Sequence, residues 1–389
     1  MKDKATKFPP GIRILTVANM YPSQSDKAYG TFVRNFHEEL SGRNSGGVND
    51  LCVIRGRRKG KLAKLKAYAV FYSSLLWKLL ARKYDLVYVH TITFPIIPVR
   101  LALALRRIPV VFNIHGDDVL PSNTLKKCLK SLAATPLRKA RMIVSPSEYF
   151  KKVLLEEFPF IPEEKVFVSP SGGVDRRFYV QESRQGASDG PGTSFPVQQD
   201  MEIPVIGYVS RLSPGKGWDI YLDALRRLRE EGVMFRALMA GGGEQTSQME
   251  RMAREAGLTG LLDNRGALSQ QELPAVYASM DVFVFPTVRR AESLGLVGLE
   301  ALATGTPVIA SDMAGPAGYI RPGVNGYLFK PGDSAGLARR IKEFIGLNPE
   351  ARRKMREDAR RSALPFEASG VADRLCEKLR ELLSKQSLE

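Results

Sequence analysis

Short apolar runs alternate with amphipathic stretches along most of this chain. In the first half the runs fall at residues 12–18, 85–90, 109–115, 141–145 and 166–169, and each reads as a buried parallel strand. Phe32, Val33, Phe36 and Leu40 recur at helical spacing behind Gly30-Thr31, and 101–107 reads as a further helix. The second half repeats the pattern, with strands at 205–210, 235–240, 281–285 and 306–311 and helices at 218–228 and 296–304. Ser269 and Glu272 have the spacing of a capping box opening a helix. Gly305, then Pro307, closes the helix before it. A last amphipathic helix, 371–383, carries Leu375, Leu379, Leu382 and Leu383 on one face, which is free to pack back on the first domain. Strand–helix alternation over this length predicts an α/β chain of two doubly wound, Rossmann-like domains facing across a cleft.

Residues 181–202 interrupt the alternation with a polar stretch rich in Gly, Ser and Pro, the clearest linker in the chain. The expected organisation is therefore a first domain at 1–180, a linker at 181–202, a second domain at 203–365 and a C-terminal helix at 366–389. A length of 389 residues agrees with two cores. Charge divides at the same place. Residues 1–180 hold 31 Lys and Arg against 14 Asp and Glu, whereas residues 181–389 hold 27 of each. The densest basic run is Arg55-Gly-Arg-Arg-Lys-Gly-Lys-Leu-Ala-Lys-Leu-Lys66, leading into an aromatic, amphipathic helix. Two readings fit it equally: an anionic membrane face, or a solvated loop ahead of a core helix. Nucleic acid would attract the same charge but is not expected as a partner. Cys52, Cys128 and Cys376 are far apart, so neither a disulfide framework nor a zinc knuckle is expected. No stretch reaches the roughly 20 apolar residues of a membrane span, and no signal-peptide core is read. The expectation is a cytoplasmic protein, with a peripheral contact to the inner face of the plasma membrane if the first reading holds.

The candidate chemistry lies at strand ends. Arg211 follows a strand directly, and Lys216-Gly217 immediately precede a helix, placing a guanidinium and an ammonium near a helix N-terminus, a ready anion site. Glu292 sits in the loop after Pro286, and the backbone amides of Ser293, Leu294, Gly295 and Leu296 offer donors as the next helix opens. Glu300, inside that helix among apolar residues, needs a partner, and its carboxylate can accept two ribose hydroxyls. Arg289 and Arg290 offer a plainer role for Glu292, as a surface ion pair. His115 ends a strand ahead of Gly116-Asp117-Asp118, where it would bond a sugar hydroxyl, relay a proton or be an ordinary satisfied loop histidine. His90 stands at an equivalent strand end, and His37 reads as structural. Gly30 allows close backbone approach to a bound group. Gly241-Gly242-Gly243 forms a second tight turn, without the spacing of a first-unit dinucleotide fingerprint. Three histidines make a histidine metal site unexpected.

Together these pieces resemble a family-four glycosyltransferase of the GT-B type. Glu292 and Glu300 match its paired-glutamate element, and Arg211 and Lys216 its diphosphate loop. Tyr21-Pro-Ser with Gly30-Thr-Phe-Val, His115-Gly-Asp-Asp, Ser169-Pro-Ser-Gly-Gly-Val-Asp175, Thr306-Pro-Val-Ile-Ala-Ser311 and Gly323-Val-Asn-Gly326 also fit. The resemblance implies a retaining hexosyltransferase that needs neither metal nor cofactor. Its donor would be a nucleotide-diphosphate sugar on the second domain. Its acceptor, a glycan or a lipid-linked glycan for cell-surface polysaccharide, would lie on the first. Arg211 and Lys216 would hold the diphosphate, Glu300 the ribose, and Glu292 and His115 the sugar. This chain departs from the family where Ser293-Leu294-Gly295 replaces the common Gly-Phe-Gly, and where the first loop has one glycine rather than a pair. The rival readings are a non-catalytic membrane- or nucleic-acid-binding protein on the same fold, and a nucleotide-sugar epimerase.

Overall fold

A computed structural model of the chain describes residues 7–26, 29–58, 60–179 and 203–386. The expected linker at 181–202 and Lys59 of the basic run lie outside the described residues. The chain forms two compact units, one running to Gly173 and joined by the stretch from Ala368, the other covering Val174–Glu367.

In the first unit the strands are β1 (Arg13–Tyr21), β2 (Val48–Arg55), β3 (Leu86–His90), β4 (Val110–Asn113), β5 (Met142–Ser145) and β6 (Val166–Val168). They pair in parallel in the order β2-β1-β3-β4-β5-β6. Helices α1 (Thr31–Arg43), α2 (Lys61–Ala81), α3 (Ile96–Leu105), α4 (Gly116–Val119), α5 (Thr124–Ser131), α6 (Ala134–Lys139) and α7 (Glu148–Glu157) connect them. The central strands are buried throughout because helices cover both faces of the sheet, which is why they read as unbroken apolar runs. The pattern gave no element for β2. That strand is the sheet edge, pairs only with β1 and is half exposed, so its sequence mixes Asn49 and Asp50 with Val and Ile. The helix read at 101–107 begins earlier, at Ile96. Pro98 lies in its first turn, where a backbone N–H has no helical acceptor to lose.

The second unit contains β7 (Val205–Val209), β8 (Arg236–Ala240), β9 (Leu262–Asn264), β10 (Val282–Phe285), β11 (Val308–Ser311) and β12 (Gly326–Phe329), in the order β12-β11-β10-β7-β8-β9. Its helices are α8 (Trp218–Glu230), α9 (Thr246–Glu255), α10 (Leu273–Ala278), α11 (Leu296–Ala303), α12 (Ala314–Ala317), α13 (Ser334–Ile345) and α14 (Pro349–Ala363). The capping-box expectation needs correction. The Ser269 amide and hydroxyl both donate to Glu272, at 2.8 and 2.6 Å, but they close a turn before the helix. Helix α10 starts at Leu273, fixed by Pro274 in its first turn.

The last helix, α15 (Ala368–Gln386), belongs to the first unit. Leu375, Cys376, Leu379 and Leu383 pack with Ile14, Tyr88, Val111 and Val144 on one face of that sheet. Arg43 of α1 bonds Asp373 at 2.7 Å, fixing the helix in register. Leu379 is fully buried, so Leu379→Ala is expected to destabilise the first unit by about 2–5 kcal/mol. A two-probe urea titration that follows each unit separately checks this: the first unit's midpoint falls and the second's stays.

Candidate functional site

In the second sheet the strand order reverses between β10 and β7, and in such sheets ligands bind beyond the carboxyl ends of the strands at that point. The loops leaving these two strands are joined backbone to backbone. The Val288 amide donates to the Gly215 carbonyl at 2.9 Å. The buried Thr287 hydroxyl donates to the same oxygen at 3.3 Å. Gly217, with φ 78°, opens α8, and a Cβ there would stand 1.9 Å from the Pro286 carbonyl oxygen. No other residue type permits that approach. The glycine turn after β8 closes against the same loop, since a Cβ on Gly241 would lie 1.8 Å from the Ser210 carbonyl oxygen.

This construction brings Lys216 and Glu292 together. The Lys216 ammonium lies 2.6 Å from a Glu292 carboxylate oxygen, and the two side chains are only 16% and 14% exposed. Glu292 therefore pairs with the cation of the preceding βα loop. Arg211 stands exposed at the end of β7, with no side-chain hydrogen bond or ion pair among the described residues. Lys216 and Arg211 both belong to the loop that runs from β7 to the N-terminus of α8.

The segment from Ser293 to Leu296 turns into α11 through Gly295, with φ 75° and the Phe285 ring 2.4 Å from where a Cβ would be. Leu294 is buried in the core of the second unit, so its backbone alone is left for a ligand. The Tyr319 hydroxyl donates to the Gly295 carbonyl at 2.8 Å and fixes the turn. Within α11, Glu300 accepts a hydrogen bond from the Tyr277 hydroxyl at 3.1 Å. Burial pushes the Glu300 carboxyl up to about 7, against the downward pull of the Tyr277 bond and the Arg177 charge. Tyr277 and Arg177 escaped the sequence reading because each lies on a different element, and only packing brings them to Glu300.

The first unit has its own reversal, between β1 and β3. Gly30 begins α1 at φ 73°, and a Cβ there would lie 2.7 Å from the Tyr21 amide nitrogen. The approach that requires glycine is thus to the end of β1 itself. His90 ends β3 and is 1% exposed, with neither ring nitrogen bonded. His115 follows β4, its ring stacked on His90 at 5.7 Å and 9°. His115 and Asp118 cap α4 reciprocally, the side chain of each accepting the other's amide. The unpartnered ring nitrogen of His115 is Nε2, so Nδ1 is the acceptor and a neutral ring carries its proton on Nε2. Burial lowers the His115 imidazole to about 4, which keeps it neutral near pH 7. The same burial raises the Asp118 carboxyl to about 7, opposed by the amides it accepts. His37 of α1 bonds Thr16 of β1 at 3.2 Å, which ties the helix to the sheet.

Residues 193–362 match the family model "Glycosyl transferases group 1", and residues 32–176 match "Glycosyltransferase Family 4". The chain belongs to the group 1 glycosyltransferases. The first match takes in Arg211, Lys216, Glu292 and Glu300, and the second takes in His90 and His115 but begins after Gly30. The chain is 37% identical over 142 residues to 2-deoxystreptamine glucosyltransferase of Streptomyces kanamyceticus, covering 36% of each chain. It is 33% identical over 147 residues to the lipopolysaccharide core biosynthesis glycosyltransferase LpsE of Rhizobium meliloti, covering 38% of this chain and 41% of that one. The matches thus span less than half the length of these relatives. Among solved structures, Anabaena HepE in complex with UDP-glucose aligns with a TM-score of 0.70 at 20% identity, covering 95% of this chain and 99% of that one. That likeness shows the GT-B fold.

The raised carboxyl of Glu300 has a signed consequence. Between the ordinary glutamate value near 4.5 and about 7, the folded protein holds a proton that the unfolded chain has released. Its contribution to stability therefore falls as pH rises through that window, and above it the buried charge is fully unfavourable. Glu300→Gln is expected to leave melting unchanged near pH 4 and to raise it increasingly up to about pH 7, then level off. Paired melting curves across that range check it, and a constant offset would contradict the buried carboxyl.

Proposed function

We propose that the chain is a retaining hexosyltransferase that moves a sugar from a nucleotide-diphosphate donor to a glycan or lipid-linked acceptor. The observation that carries this reading is the Lys216–Glu292 pair at the β7/β10 reversal, with Arg211 beside it and Glu300 inside the next helix. An ammonium neutralised by a carboxylate is primed for exchange. When a diphosphate arrives, Lys216 and Arg211 turn to its oxygens and Glu292 is released to accept a sugar hydroxyl. Glu300 accepts the ribose hydroxyls, with Tyr277 holding its carboxylate in place. His115 donates from Nε2 to a sugar hydroxyl, supported by its neutral ring and its unpartnered nitrogen.

In the transfer, the acceptor hydroxyl oxygen bonds to the anomeric carbon on the face from which the diphosphate leaves. The carbon–oxygen bond to the diphosphate breaks, and the hydroxyl proton passes to the departing phosphate oxygen. Arg211 and Lys216 stabilise the charge that grows there. Because these cations and the α8 N-terminus face the diphosphate, we assign no part to a metal ion. Relatives named for lipopolysaccharide core biosynthesis and for putative colanic acid biosynthesis support a surface-polysaccharide acceptor. UDP is the first nucleotide to test, because HepE has been crystallised with UDP and with UDP-glucose. We place the protein in the cytoplasm, at an anionic membrane face.

Thermal melting with UDP, GDP, ADP and TDP tests the donor site. A nucleotide at about 100 times its dissociation constant is expected to stabilise the protein by roughly 2.7 kcal/mol. Glu300→Ala is expected to abolish that gain, and a panel without any shift would overturn the donor reading. With a sugar nucleotide and membrane extract, Arg211→Ala is expected to lower kcat/KM by about 10²–10³. Chelation with EDTA is expected to leave the rate unchanged, and a rate that returns only with added magnesium would contradict the metal-free assignment.

A further inference from the structure

We propose that helices α2 and α3 of the first unit form a docking face for an anionic lipid bilayer. This deepens the reading of a membrane-associated acceptor and rests on it for its purpose, though not for its test. Along α2, Leu62, Leu65, Ala69, Ser73, Trp77 and Leu80 recur three or four residues apart, which places them in one row. All six are exposed, Leu62 by 84%, Leu65 by 68% and Trp77 by 56%. The opposite row, Phe71, Leu75 and Leu79, is buried in the core of the unit. The helix is therefore apolar on two sides and uses only one of them for folding.

Helix α3 packs along α2. Arg106, just past its end, donates to the carbonyls of Leu79, Leu80 and Arg82, which ties the two C-terminal ends together. Leu101 and Leu105 of α3 are exposed by 51% and 73% beside that junction. With Val70, the two helices carry seven of the fourteen exposed large apolar side chains among the described residues. A concentration of that kind marks a surface meant to be covered.

Charge identifies what covers it. Between Asp50 and Asp117 the sequence has thirteen Lys and Arg and one acid, Asp85. Asp85 is occupied by the Arg13 amide at 2.8 Å. Lys61, Lys64 and Lys66 sit at the start of α2, and Lys83 lies just past its end. None of these four makes an ion pair among the described residues. At the far end the Arg82 guanidinium, paired with Asp50 at 2.9 Å, lies 5.1 Å from the centre of the Trp77 ring. An apolar row with cations at both ends and an interfacial tryptophan matches a helix lying in the headgroup plane. Among the described residues no helix is long and apolar enough to cross a membrane. Nucleic acid would use the cations but not the aliphatic row, and a protein partner would not need the unpaired Lys61, Lys64 and Lys66 at one end with Lys83 at the other.

The chain carries its own reporter. Trp77 and Trp218 are its two tryptophans, and Trp218 is 3% exposed in the other unit. Phosphatidylcholine vesicles with about one third phosphatidylglycerol are expected to bind the full chain and shift tryptophan emission to the blue, with little effect from phosphatidylcholine alone. Trp77→Phe should remove the shift. Replacing Lys61, Lys64 and Lys66 with Gln should weaken binding roughly 100-fold at low salt. Leu62→Gln with Leu65→Gln should weaken it tenfold or more, with melting unchanged because both are exposed. Binding that ignores the leucine pair and leaves Trp77 emission in place would overturn the proposal. So would binding to an RNA oligomer that is lost with the same leucines. Nucleotide stabilisation of the same protein separates the two readings. No vesicle binding beside an intact, Glu300-dependent nucleotide shift sinks the docking face alone, and vesicle binding without any nucleotide shift sinks the donor site alone.

Discussion

In the second unit two stretches of backbone approach as closely as glycine allows. Gly217 rests on the Pro286 carbonyl, and Gly215 accepts from Val288. The approach joins the loop after β7 to the loop after β10, the two strands where the sheet reverses direction. Everything proposed for the donor depends on it. Lys216 lies between the two glycines, so the contact delivers its ammonium to Glu292, 76 residues further along the chain. A side chain at 217 would push the loops apart and separate the cation from the acid. The Lys216–Glu292 ion pair and the start of α8 are thus consequences of one steric condition.

Burial then sets the chemistry of what the backbone has placed. Glu300 and Asp118 are carboxyls in which desolvation outweighs the hydrogen bonds they accept, and both are raised to about 7. His115 moves the other way, to about 4, for the same reason, because burial opposes whichever form is charged. The two units therefore present different tools. The second holds Lys216 against Glu292 and buries a raised carboxyl, Glu300, inside the next helix. The first offers a neutral imidazole whose donor nitrogen is set by the cap of α4. Its other face carries an acid-free helical surface on α2, far in character from the balanced charge of the second half.

Much of this was legible in the order of residues. The buried parallel strands are covered on both faces, so their apolar runs are unbroken and visible without neighbours. Gly30, Gly295 and Gly305 mark helix ends because the left-handed conformation there leaves little choice of residue. The edge strands β2, β9 and β12 were not read. β2 and β9 each have one neighbour and are half solvated, so their sequences lose the signature, whereas β12 is buried but is a four-residue run opening on Gly326. Ser269 and Glu272 do bond each other across their three-residue spacing, yet the helix starts only at Leu273, at a proline-fixed turn.

The sequence by itself determined the α/β class, the helix ends marked by Gly30, Gly295 and Gly305, and which acids and cations stand at strand ends. Those are local matters, settled by side-chain periodicity and backbone conformation. Only the tertiary structure decided partners: Lys216 for Glu292, Tyr277 for Glu300, the His90 ring for His115, and the first sheet for α15. It also decided that the second apolar row of α2 faces outward. Periodicity shows that a helix has apolar faces, but which of them meets the core depends on where a sheet and a second helix lie, and that is information no single segment contains.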